Sequence, residues 1–443
     1  MKMLIIGLDS TPPSILYEGL GRELENLSSI VHEGSRYILR SSHPPITIPA
    51  WAVMVTGKTP GELGLYGFRH RKPGDVNASY IASSKSIKYP AIWDELGSRG
   101  LRSIVMSVPP SYPPKRVNGY MISCFITPST DVSYTWPITL KFELERKFGK
   151  YIFDVVYRSE DKDRIIKELW SMTNQHFDII SYLLEKKWDF FMFVEIGVDR
   201  VQHAFWKFYD KNHQKYEPGN KYENVIPEYY KLIDKRIGEL LNKIPRDTVV
   251  VIVSDHGAKP MKGAFCINQW LIEAGYLKLK KEVDKPGIDL TADMIDWSKT
   301  IAWGWGGYYS RIFINLEGRE PKGIVKRSKY ERVIEQLKSD ILSIRGPNGE
   351  RWLNIVYTPE ELYPVATGDK PDLIVYLDDL SWRAAGTLGW PSKYLSENDR
   401  GPDDAVHDWY GVFTVYDPEN RIEKGDLGLI NIHEVKGVLM NLL

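Results

Sequence analysis

The sequence predicts an α/β fold built on a large, mostly parallel sheet with helices on both faces and inserted cap segments. Short apolar runs end in polar or turn residues and alternate with helical patterns, which is typical of parallel strands buried on both faces. The chain has 443 residues. An average domain has roughly 150 residues, so this length leaves room for several units or for one large core with insertions.

Five apolar runs predict strands, and two segments predict helices. One helix is expected from Ala91 to Arg99, with Gly100 ending it. Another follows from apolar residues at helical spacing between Ile226 and Ile244, with Pro227 in its first turn. We expect residues 110–185 and 283–350 to be insertions or caps on one domain, 1–443, assembled from both chain ends. The strands are expected at 3–9, 102–108, 190–197, 248–255 and 371–377.

The composition excludes several classes of protein. The 58 Lys and Arg balance 58 Asp and Glu, whereas proteins that wrap nucleic acids need a cationic excess. The only cysteines, Cys124 and Cys266, form no CxxC pair, so neither a disulfide framework nor a thiolate zinc site is indicated. No apolar run approaches the roughly 18 residues of a membrane span. We therefore expect a cytoplasmic protein with no membrane span, and the sequence specifies no oligomeric state.

Acidic and imidazole side chains follow the predicted strands. Asp9 ends the first strand, and Asp255 and His256 end TVVVIVSD. Asp199 and His203 follow the strand 190–197 at a spacing of four, which on a helix places both on one face and suits a metal ion. Because carboxyl ends of parallel strands meet at one edge, these groups are expected to lie together. Each Asp is also a plausible helix cap, so no single motif is decisive.

The combined set indicates a two-metal site. His407, in VHDWYGVF, brings the number of Asp and His candidates to six. Six such ligands suffice for two adjacent divalent ions, which can clamp both the attacking and leaving oxygens of a phosphoryl transfer. Thr47 is a candidate nucleophile because it precedes a possible helix at Ala50–Val55, where backbone N–H groups favour an alkoxide and a phosphate. A simple N-cap role for Thr47 stays open.

In their order and spacing, these motifs resemble the alkaline phosphatase superfamily. The resemblance is to its type I phosphodiesterase/nucleotide pyrophosphatase branch and to the group described as predicted phosphohydrolases or phosphomutases. It covers nearly the whole chain. The matching segments are LIIGLDS around Asp9, PPITIPAWAVMVTGKTPGELGLYGF around Thr47, EIGVDRVQH around Asp199 and His203, VSDHG around Asp255 and His256, HDWYGVF around His407, and RIFINLEGREPKGIV at 311–325.

The resemblance implies an alkaline phosphatase-like catalytic domain and a mechanism. Thr47 would attack phosphorus in line and form a phospho-threonine that water hydrolyses, so that a phosphodiester or nucleotide pyrophosphate bond is cleaved. Zinc is the family expectation, although Asp and His ligands also suit Mn or another transition metal. The substrate would be a small phosphate ester or nucleotide. By the resemblance, one ion is held by Asp9, Thr47, Asp255 and His256, and the other by Asp199, His203 and His407.

The sequence also departs from the eukaryotic members of that branch. They have a Lys just before the nucleophile and an Asn soon after it, whereas here Ile46 precedes Thr47 and the first later Asn is Asn77. Arg69 and His70, together with Arg71 in GFRHRKPG, are candidates to contact an anionic substrate instead, although the motif by itself favours a basic surface turn. Nucleotide specificity is therefore not implied.

Other branches and classes make different demands on the sequence. A sulfatase needs a Cys or Ser in a CxPxR-type motif, which surrounds neither Cys124 nor Cys266. A cofactor-independent phosphoglycerate mutase would have a Ser nucleophile. A phosphomutase or phospho-group transferase using the same intermediate stays open, as does an inactive metal-binding scaffold. The aromatic cluster 303–309 (WGWGGYY) would be either a small core or a lid over substrate.

Overall fold

A computed structural model describes residues 2–72 and 75–443. The strands of the first half are β1 (Met3–Leu8), β2 (Ser35–Arg40), β3 (Arg69–Lys72), β4 (Asp75–Ile81), β5 (Ser103–Met106), β6 (Gly119–Ile122), β7 (Thr135–Trp136) and β8 (Phe190–Glu195). Those of the middle are β9 (Val249–Val253), β10 (Gly257–Pro260), β11 (Gly263–Cys266), β12 (Ile288–Asp289), β13 (Ala302–Trp305) and β14 (Ser310–Ile314). The last are β15 (Ile355–Tyr357), β16 (Leu373–Tyr376), β17 (Trp382–Ala385), β18 (Thr387–Leu388), β19 (Tyr394–Leu395), β20 (Ala405–Asp408), β21 (Tyr410–Tyr416) and β22 (Gly425–Asn431).

The α-helices lie between these strands, and both predicted helices form. Within the described ranges, no helix has the length and apolar character needed to cross a membrane. The first helices are α1 (Glu25–Glu33), α2 (Thr47–Thr56), α3 (Pro60–Leu63), α4 (Ile92–Ser98), α5 (Ile138–Phe148) and α6 (Lys162–Leu183). The others are α7 (Gly197–Tyr209), α8 (Val225–Leu241), α9 (Ile267–Glu273), α10 (Tyr330–Leu342), α11 (Pro359–Leu362) and α12 (Val435–Asn441).

The main sheet is large and mostly parallel, which confirms the predicted fold class. In the described chain its nine strands follow the order β22-β2-β21-β9-β1-β8-β5-β6-β7. The central strands β9, β1, β8, β5 and β6 are all parallel to their neighbours in this run. Strand β21 is antiparallel to both β9 and β2. The carboxyl ends of β9, β1 and β8 therefore lie side by side at one edge of the sheet.

Helices cover both faces of this sheet because its central strands are apolar on both sides. In β1, Leu4 and Ile6 pack into one core cluster, whereas Met3 and Ile5 pack into the other. This alternation follows from the two-residue period of a strand. Helices α1 and α5 to α8 contribute to the first cluster, and α2, α4 and α12 to the second.

A second, antiparallel sheet has its own core. It has the order β13-β14-β16-β15, with α10 packed in the same apolar cluster. The predicted strand at 371–377 forms as β16 but pairs here with β14 and β15, not in the parallel sheet. Its apolar run is as continuous as that of a parallel strand because this sheet is also buried. An apolar run alone does not specify which sheet a strand joins.

The two segments expected to be insertions or caps occupy different layers. Segment 110–185 supplies β6 and β7 to one end of the main sheet, and its helix α6 packs into the core beneath that sheet. Segment 283–350 supplies β13, β14 and α10 to the second sheet and its core. The second sheet brings the residues after β13 toward the carboxyl edge of the main sheet.

Candidate active site

Three aspartates meet at the carboxyl edge of the main sheet. Asp9 directly follows β1, Asp255 lies two residues after β9, and Asp199 lies in the first turn of α7, which follows β8. These strands are adjacent in the order β9-β1-β8. All three side chains are buried. Charged carboxylates are expensive to bury without a counter-charge, so the fold has placed a strong requirement for cations at this edge.

In two of these aspartates, the protein binds one carboxylate oxygen and leaves the other without a partner. Trp51 Nε1 donates to Asp9 Oδ2 at 2.7 Å, and the Ser10 backbone N–H donates to Asp255 Oδ1 at 3.2 Å. Asp9 Oδ1 and Asp255 Oδ2 are buried and receive no hydrogen bond from the described residues. Each carboxylate is thus oriented by one oxygen while the other is available to a ligand.

Asp199 follows the same arrangement. Arg200 Nη1 donates to Asp199 Oδ2 at 2.6 Å, and Asp154 holds the same guanidinium from its other side. Asp199 Oδ1 is buried and receives no hydrogen bond from the described chain. A buried oxygen without a hydrogen-bond donor is costly. Three such oxygens in one place fit a cation site, because carboxylate oxygens are ligands for divalent metals.

The three histidines present their Nε2 atoms to these oxygens. In each ring, Nδ1 lies next to a carbonyl or carboxylate acceptor, which keeps a proton on Nδ1 and makes Nε2 the atom that faces the carboxylates. Metal-ligating histidines are typically held in this way. The acceptors are Gly257 O for His256 at 3.0 Å, Pro45 O for His407 at 2.8 Å, and both Asp403 Oδ1 at 2.7 Å and Ala405 O at 3.0 Å for His203.

One group of candidate ligands contains Asp9, Asp255 and His256. Their ligand atoms lie within 4.8 Å of one another. His256 Nε2 is 3.2 Å from Asp255 Oδ2 and 3.9 Å from Asp9 Oδ1. These three residues belong to the first set implied by the family resemblance, which also included Thr47.

The second group is centred on Asp199. Asp199, His256 and His407 again bring ligand atoms within 4.8 Å of one another. His203 Nε2 and His407 Nε2 approach Asp199 Oδ1 to 3.2 and 3.7 Å. His256 and His407 stack with ring centroids 3.8 Å apart. His256 thus joins both groups, a relationship that the sequence does not indicate.

Thr47 lies beside this cluster as the first residue of α2, which begins before the predicted Ala50. Its Oγ1 is 3.4 Å from His256 Nε2. Every residue of α2 is buried, so the N-terminus of this helix is held firmly against the sheet. Trp51, one turn later on the same face, holds Asp9. One helix therefore positions both the hydroxyl and a carboxylate.

The charges in the cluster perturb one another strongly. Burial and the charge of Asp199 raise the pKa of Asp9 well above its ordinary value. Burial and the charge of Asp9 do the same to the pKa of Asp255. Burial opposes ionisation of Asp199 too, but His203 and Arg200 lower its pKa well below the usual range. Bound cations would stabilise the ionised forms of Asp9 and Asp255.

A cavity of about 1180 Å³ opens over the cluster, between the main sheet and the second sheet. Thr47, Asp199 and His407 belong to its wall, as do residues 303–309. The cavity is also notable for cationic side chains, because its wall includes Arg69, Arg158, Arg200, Arg311, Arg383 and Arg400. The site is therefore accessible to an anionic small molecule.

Of Arg69 and His70, both expected to contact substrate, one lines the cavity and the other is buried away from it. Arg69 is exposed and lines the cavity. His70 is fully buried, accepts a hydrogen bond from the Tyr66 backbone N–H at 2.8 Å, and stacks on Tyr80. Burial lowers the pKa of His70 to about 3. In this position His70 is a neutral acceptor inside the β3–β4 region and does not line the cavity.

The aromatic cluster 303–309 serves both functions that the sequence left open. Trp303 packs on Trp297 and Phe313 in the core of the second sheet. Tyr308 instead stacks on His407, with ring centroids 4.2 Å apart, and its Oη lies 3.3 Å from His203 Nε2. One segment thus builds a core and covers the imidazoles.

Sequence reasoning missed four side chains that orient the candidate ligands. Three of them lie within four residues of a predicted ligand in the sequence, and that proximity is the signal that could have identified them. Arg200 follows Asp199, and Trp51 is one helical turn from Thr47. Asp403 precedes His407 by four residues. Tyr308 has no local signal, because only the second sheet brings it to the imidazoles.

Together, the fold and the site define an α/β enzyme of the alkaline phosphatase type. The sequence profile described as "Type I phosphodiesterase / nucleotide pyrophosphatase" matches residues 3–403. The chain belongs to this family of the alkaline phosphatase superfamily and is a hydrolase of phosphoester bonds, with the metal dependence of its family. A search of curated protein sequences found no match.

Solved structures with low sequence identity share the fold over the full chain. Human ectonucleotide pyrophosphatase/phosphodiesterase 5 is 15% identical, with a TM-score of 0.58 over 100% of this chain and 94% of its own. An inactive murine form in complex with AMP is 14% identical, with a TM-score of 0.56 over 100% and 94%. Phosphonoacetate hydrolase from Sinorhizobium meliloti 1021, in complex with phosphonoformate, is 14% identical, with a TM-score of 0.63 over 100% and 95%. At these identities the likeness concerns the fold.

Proposed function

We propose that this chain is a phosphodiesterase or nucleotide pyrophosphatase that uses Thr47 as nucleophile and two divalent metal ions. The proposal rests on one observation. Three buried carboxylate oxygens without hydrogen-bond partners cluster with imidazole Nε2 atoms, and one of these atoms, Nε2 of His256, is 3.4 Å from Thr47 Oγ1. That donor set suits metal ions, which would offset the cost of burying the carboxylates.

The ligands fall into two sets. Asp9, Asp255, His256 and Thr47 would hold one ion, and Asp199, His203 and His407 the other, with His256 close to both. When bound, the ions would supply positive charge for the hydroxyl oxygen and for the transferred phosphoryl group. Zinc is the proposed metal on the basis of the family resemblance, and Mn is the alternative with the same ligand chemistry.

The chain's own residues position the reaction. Thr47 Oγ1 forms a bond to phosphorus as the bond between phosphorus and the leaving oxygen breaks, and the leaving group departs as an alcohol or phosphate. A water oxygen then forms a bond to phosphorus while the bond to Thr47 Oγ1 breaks, which restores the hydroxyl. The backbone N–H groups of Thr47 and Ile48, at the start of α2, have no intrahelical acceptor and are available to phosphoryl oxygens.

The cavity and the cysteines bear on the substrate and on the cellular compartment. The substrate is a small phosphate ester or nucleotide, in keeping with a cavity of about 1180 Å³ and its cationic wall. Arg69 is the candidate contact at the cavity mouth. His70 was the second candidate, and its buried position gives it no support. The two cysteines are buried free thiols, which supports the cytoplasm as the compartment.

Turnover of bis-p-nitrophenyl phosphate by the purified chain tests the proposal. We expect release of p-nitrophenol that EDTA abolishes and Zn²⁺ or Mn²⁺ restores. Thr47→Ala should lose turnover, and Thr47→Ser should retain part of it. Turnover that EDTA leaves unchanged would contradict the metal requirement, and wild-type turnover by Thr47→Ala would favour a metal-binding scaffold or another nucleophile.

A second candidate, a phosphomutase or phospho-group transferase, shares the same intermediate. The cavity, of about 1180 Å³, has room for an acceptor alcohol beside the leaving group, and this is the observation that favours a transferase. Adding glycerol to the same assay distinguishes the two. A transferase would pass the p-nitrophenyl phosphoryl group to glycerol and form glyceryl p-nitrophenyl phosphate at the expense of p-nitrophenyl phosphate, whereas a hydrolase would form p-nitrophenyl phosphate alone.

A further inference from the structure

Four arginines among the described residues are at least nine-tenths buried. Two of them are bound by carboxylates, and the side chains of the other two are not hydrogen-bonded. Arg71 is bound by Asp369 and Glu320, and Arg200 by Asp154 and Asp199. Arg311 and Arg383 are 6% and 8% exposed, yet neither donates a hydrogen bond to any described residue. The fold thus neutralises two buried guanidinium groups fully and leaves two with unused donors.

Arg311 lies on β14 and lines the cavity above Thr47. Its Nη1 is buried without a partner, as is the Oη of neighbouring Tyr309. A methyl group on Gly67 would contact both, at 3.5 Å from Tyr309 Oη and 3.7 Å from Arg311 Cζ. The absence of a side chain at Gly67 therefore leaves space in front of two unused donors. No carboxylate in the described chain lies within 4.0 Å of Arg311.

Arg383 lies on β17 and lines the same cavity. Its guanidinium is 4.7 Å from the centroid of the Tyr308 ring, whose other contacts include His407. Its nearest carboxylate oxygen in an ion pair is Asp399 Oδ1, at 3.8 Å from Nε. That distance is too long for a hydrogen bond. Both Nε and Nη1 of Arg383 are buried without a partner.

Three guanidinium nitrogens left without an acceptor, Nη1 of Arg311 and Nε and Nη1 of Arg383, together with the unpaired charge of Arg311, favour binding of an anion. Burying an unpaired charge costs far more than burying a satisfied one, and arginine binds carboxylates and phosphates with two parallel hydrogen bonds. The metal ions would serve the phosphoryl group at Thr47, so the donors of the two arginines, which line the same cavity, are available to another part of the substrate. Burial keeps Tyr309 protonated by raising its pKa to about 12, so its hydroxyl is also a donor.

We propose that the cavity binds a second anionic group of the substrate through Arg311, Tyr309 and Arg383. This inference rests on the proposed function and narrows it. The substrate is a phosphate ester or anhydride that has a further phosphate or carboxylate next to the scissile group. A simple neutral diester would fill the metal site but leave the two arginines without a partner.

Binding of two small anions to the full-length, metal-loaded chain tests this proposal. Methylphosphonate offers one anionic group, and methylenebisphosphonate offers two. We expect the wild type to bind methylenebisphosphonate at least about tenfold more tightly in isothermal titration calorimetry, because charge-assisted hydrogen bonds contribute more than neutral ones. In Arg311→Met and Arg383→Met, that ratio should fall toward unity while methylphosphonate binding changes little. Arg332→Met, on the exposed face of α10, is the matched control and should keep the wild-type ratio.

The outcomes separate this proposal from the proposed function. Equal affinity of the wild type for the two anions would overturn the second subsite, whatever the turnover of bis-p-nitrophenyl phosphate. A clear preference for the doubly anionic probe in a chain that does not hydrolyse the diester would support the subsite and contradict the function. Equal losses for both probes in the arginine variants would show that these residues stabilise the cavity and do not select its ligand. Circular dichroism and thermal melting of each variant identify any that fail to fold.

Discussion

His203 is held between two aspartates. Its Nδ1 lies 2.7 Å from Asp403 Oδ1, and its Nε2 lies 3.2 Å from Asp199 Oδ1. Arg158 Nε donates in turn to Asp403 Oδ2 at 3.0 Å. Asp403 therefore fixes both the tautomer and the direction of the imidazole, although it touches neither the candidate nucleophile nor the other carboxylates.

Replacing Asp403 should weaken metal binding without removing a ligand. Asp403→Asn keeps the shape of the side chain but removes its charge, and we expect metal affinity to fall about 10- to 100-fold, as is usual when a partner of a ligating histidine is lost. Titration against a competing metal chelator measures the change. Asp426→Asn is the control, because Asp426 forms an exposed ion pair with Arg36. Equal metal affinities of Asp403→Asn and the wild type would show that Asp403 does not support a ligand.

Removing metal should destabilise the folded chain. The apoprotein buries three carboxylates without the cations that would stabilise their charge, and a ligand at 100 times its Kd adds about 2.7 kcal/mol to stability. We expect EDTA to lower the melting temperature and excess Zn²⁺ to restore it. Asp9→Asn should respond less, because one ligand set has lost one of its two carboxylates. A melting temperature that is the same with and without EDTA would argue against structural occupancy of the site.

Gly7 should not tolerate a side chain. A Cβ there would lie 2.8 Å from the Trp51 ring and 2.8 Å from Val194 Cγ2. We expect Gly7→Ala to lower the free energy of unfolding by about 1–3 kcal/mol, as for other overpacked cores. Because Trp51 holds Asp9, metal affinity should fall as well. Gly437→Ala, where a Cβ meets nothing within 4 Å, is the control and should leave the melting temperature unchanged or raise it. Denaturant unfolding of the three proteins provides the comparison.

His70 should make the fold sensitive to acid. Burial lowers its pKa from an ordinary value of 6.5 to about 3. Between these pH values the unfolded state binds more protons than the folded state, so this contribution to stability is lost as pH falls. The slope is at most about 1.4 kcal/mol per pH unit for one such group. His70→Gln keeps an acceptor for the Tyr66 N–H but does not titrate. We expect denaturant unfolding of His70→Gln between pH 4 and 6.5 to depend less on pH than that of the wild type. Identical slopes would show that His70 titrates normally.

Features of the fold that depend on local sequence patterns could be predicted, whereas those that depend on contacts between residues far apart in the sequence could not. Asp9, Asp199 and Asp255 could be predicted because each follows an apolar strand, and parallel strands bring their carboxyl ends to one edge. The strand at 371–377 has the same local pattern, yet it belongs to the second sheet. Its pairing is decided by the distant strands β14 and β15.

The same distinction holds within the site. The aspartate and histidine motifs are local, so the sequence names the residues of both candidate metal groups. The contacts of Tyr308 and Asp403 with His203 depend on segments more than 100 positions away. The role of His256 in both ligand groups depends on His407, which pairing between β10 and β20 brings beside it. Such relationships appear only when the tertiary structure is known.

Rapid acid quench of a reaction with a substrate that contains radiolabelled phosphorus tests the central claim most directly. The phosphoryl group should be recovered on the peptide that contains Thr47, and the Thr47→Ala protein should incorporate none. Label on a different residue, or the same amount of label in Thr47→Ala, would contradict the proposed phospho-threonine intermediate.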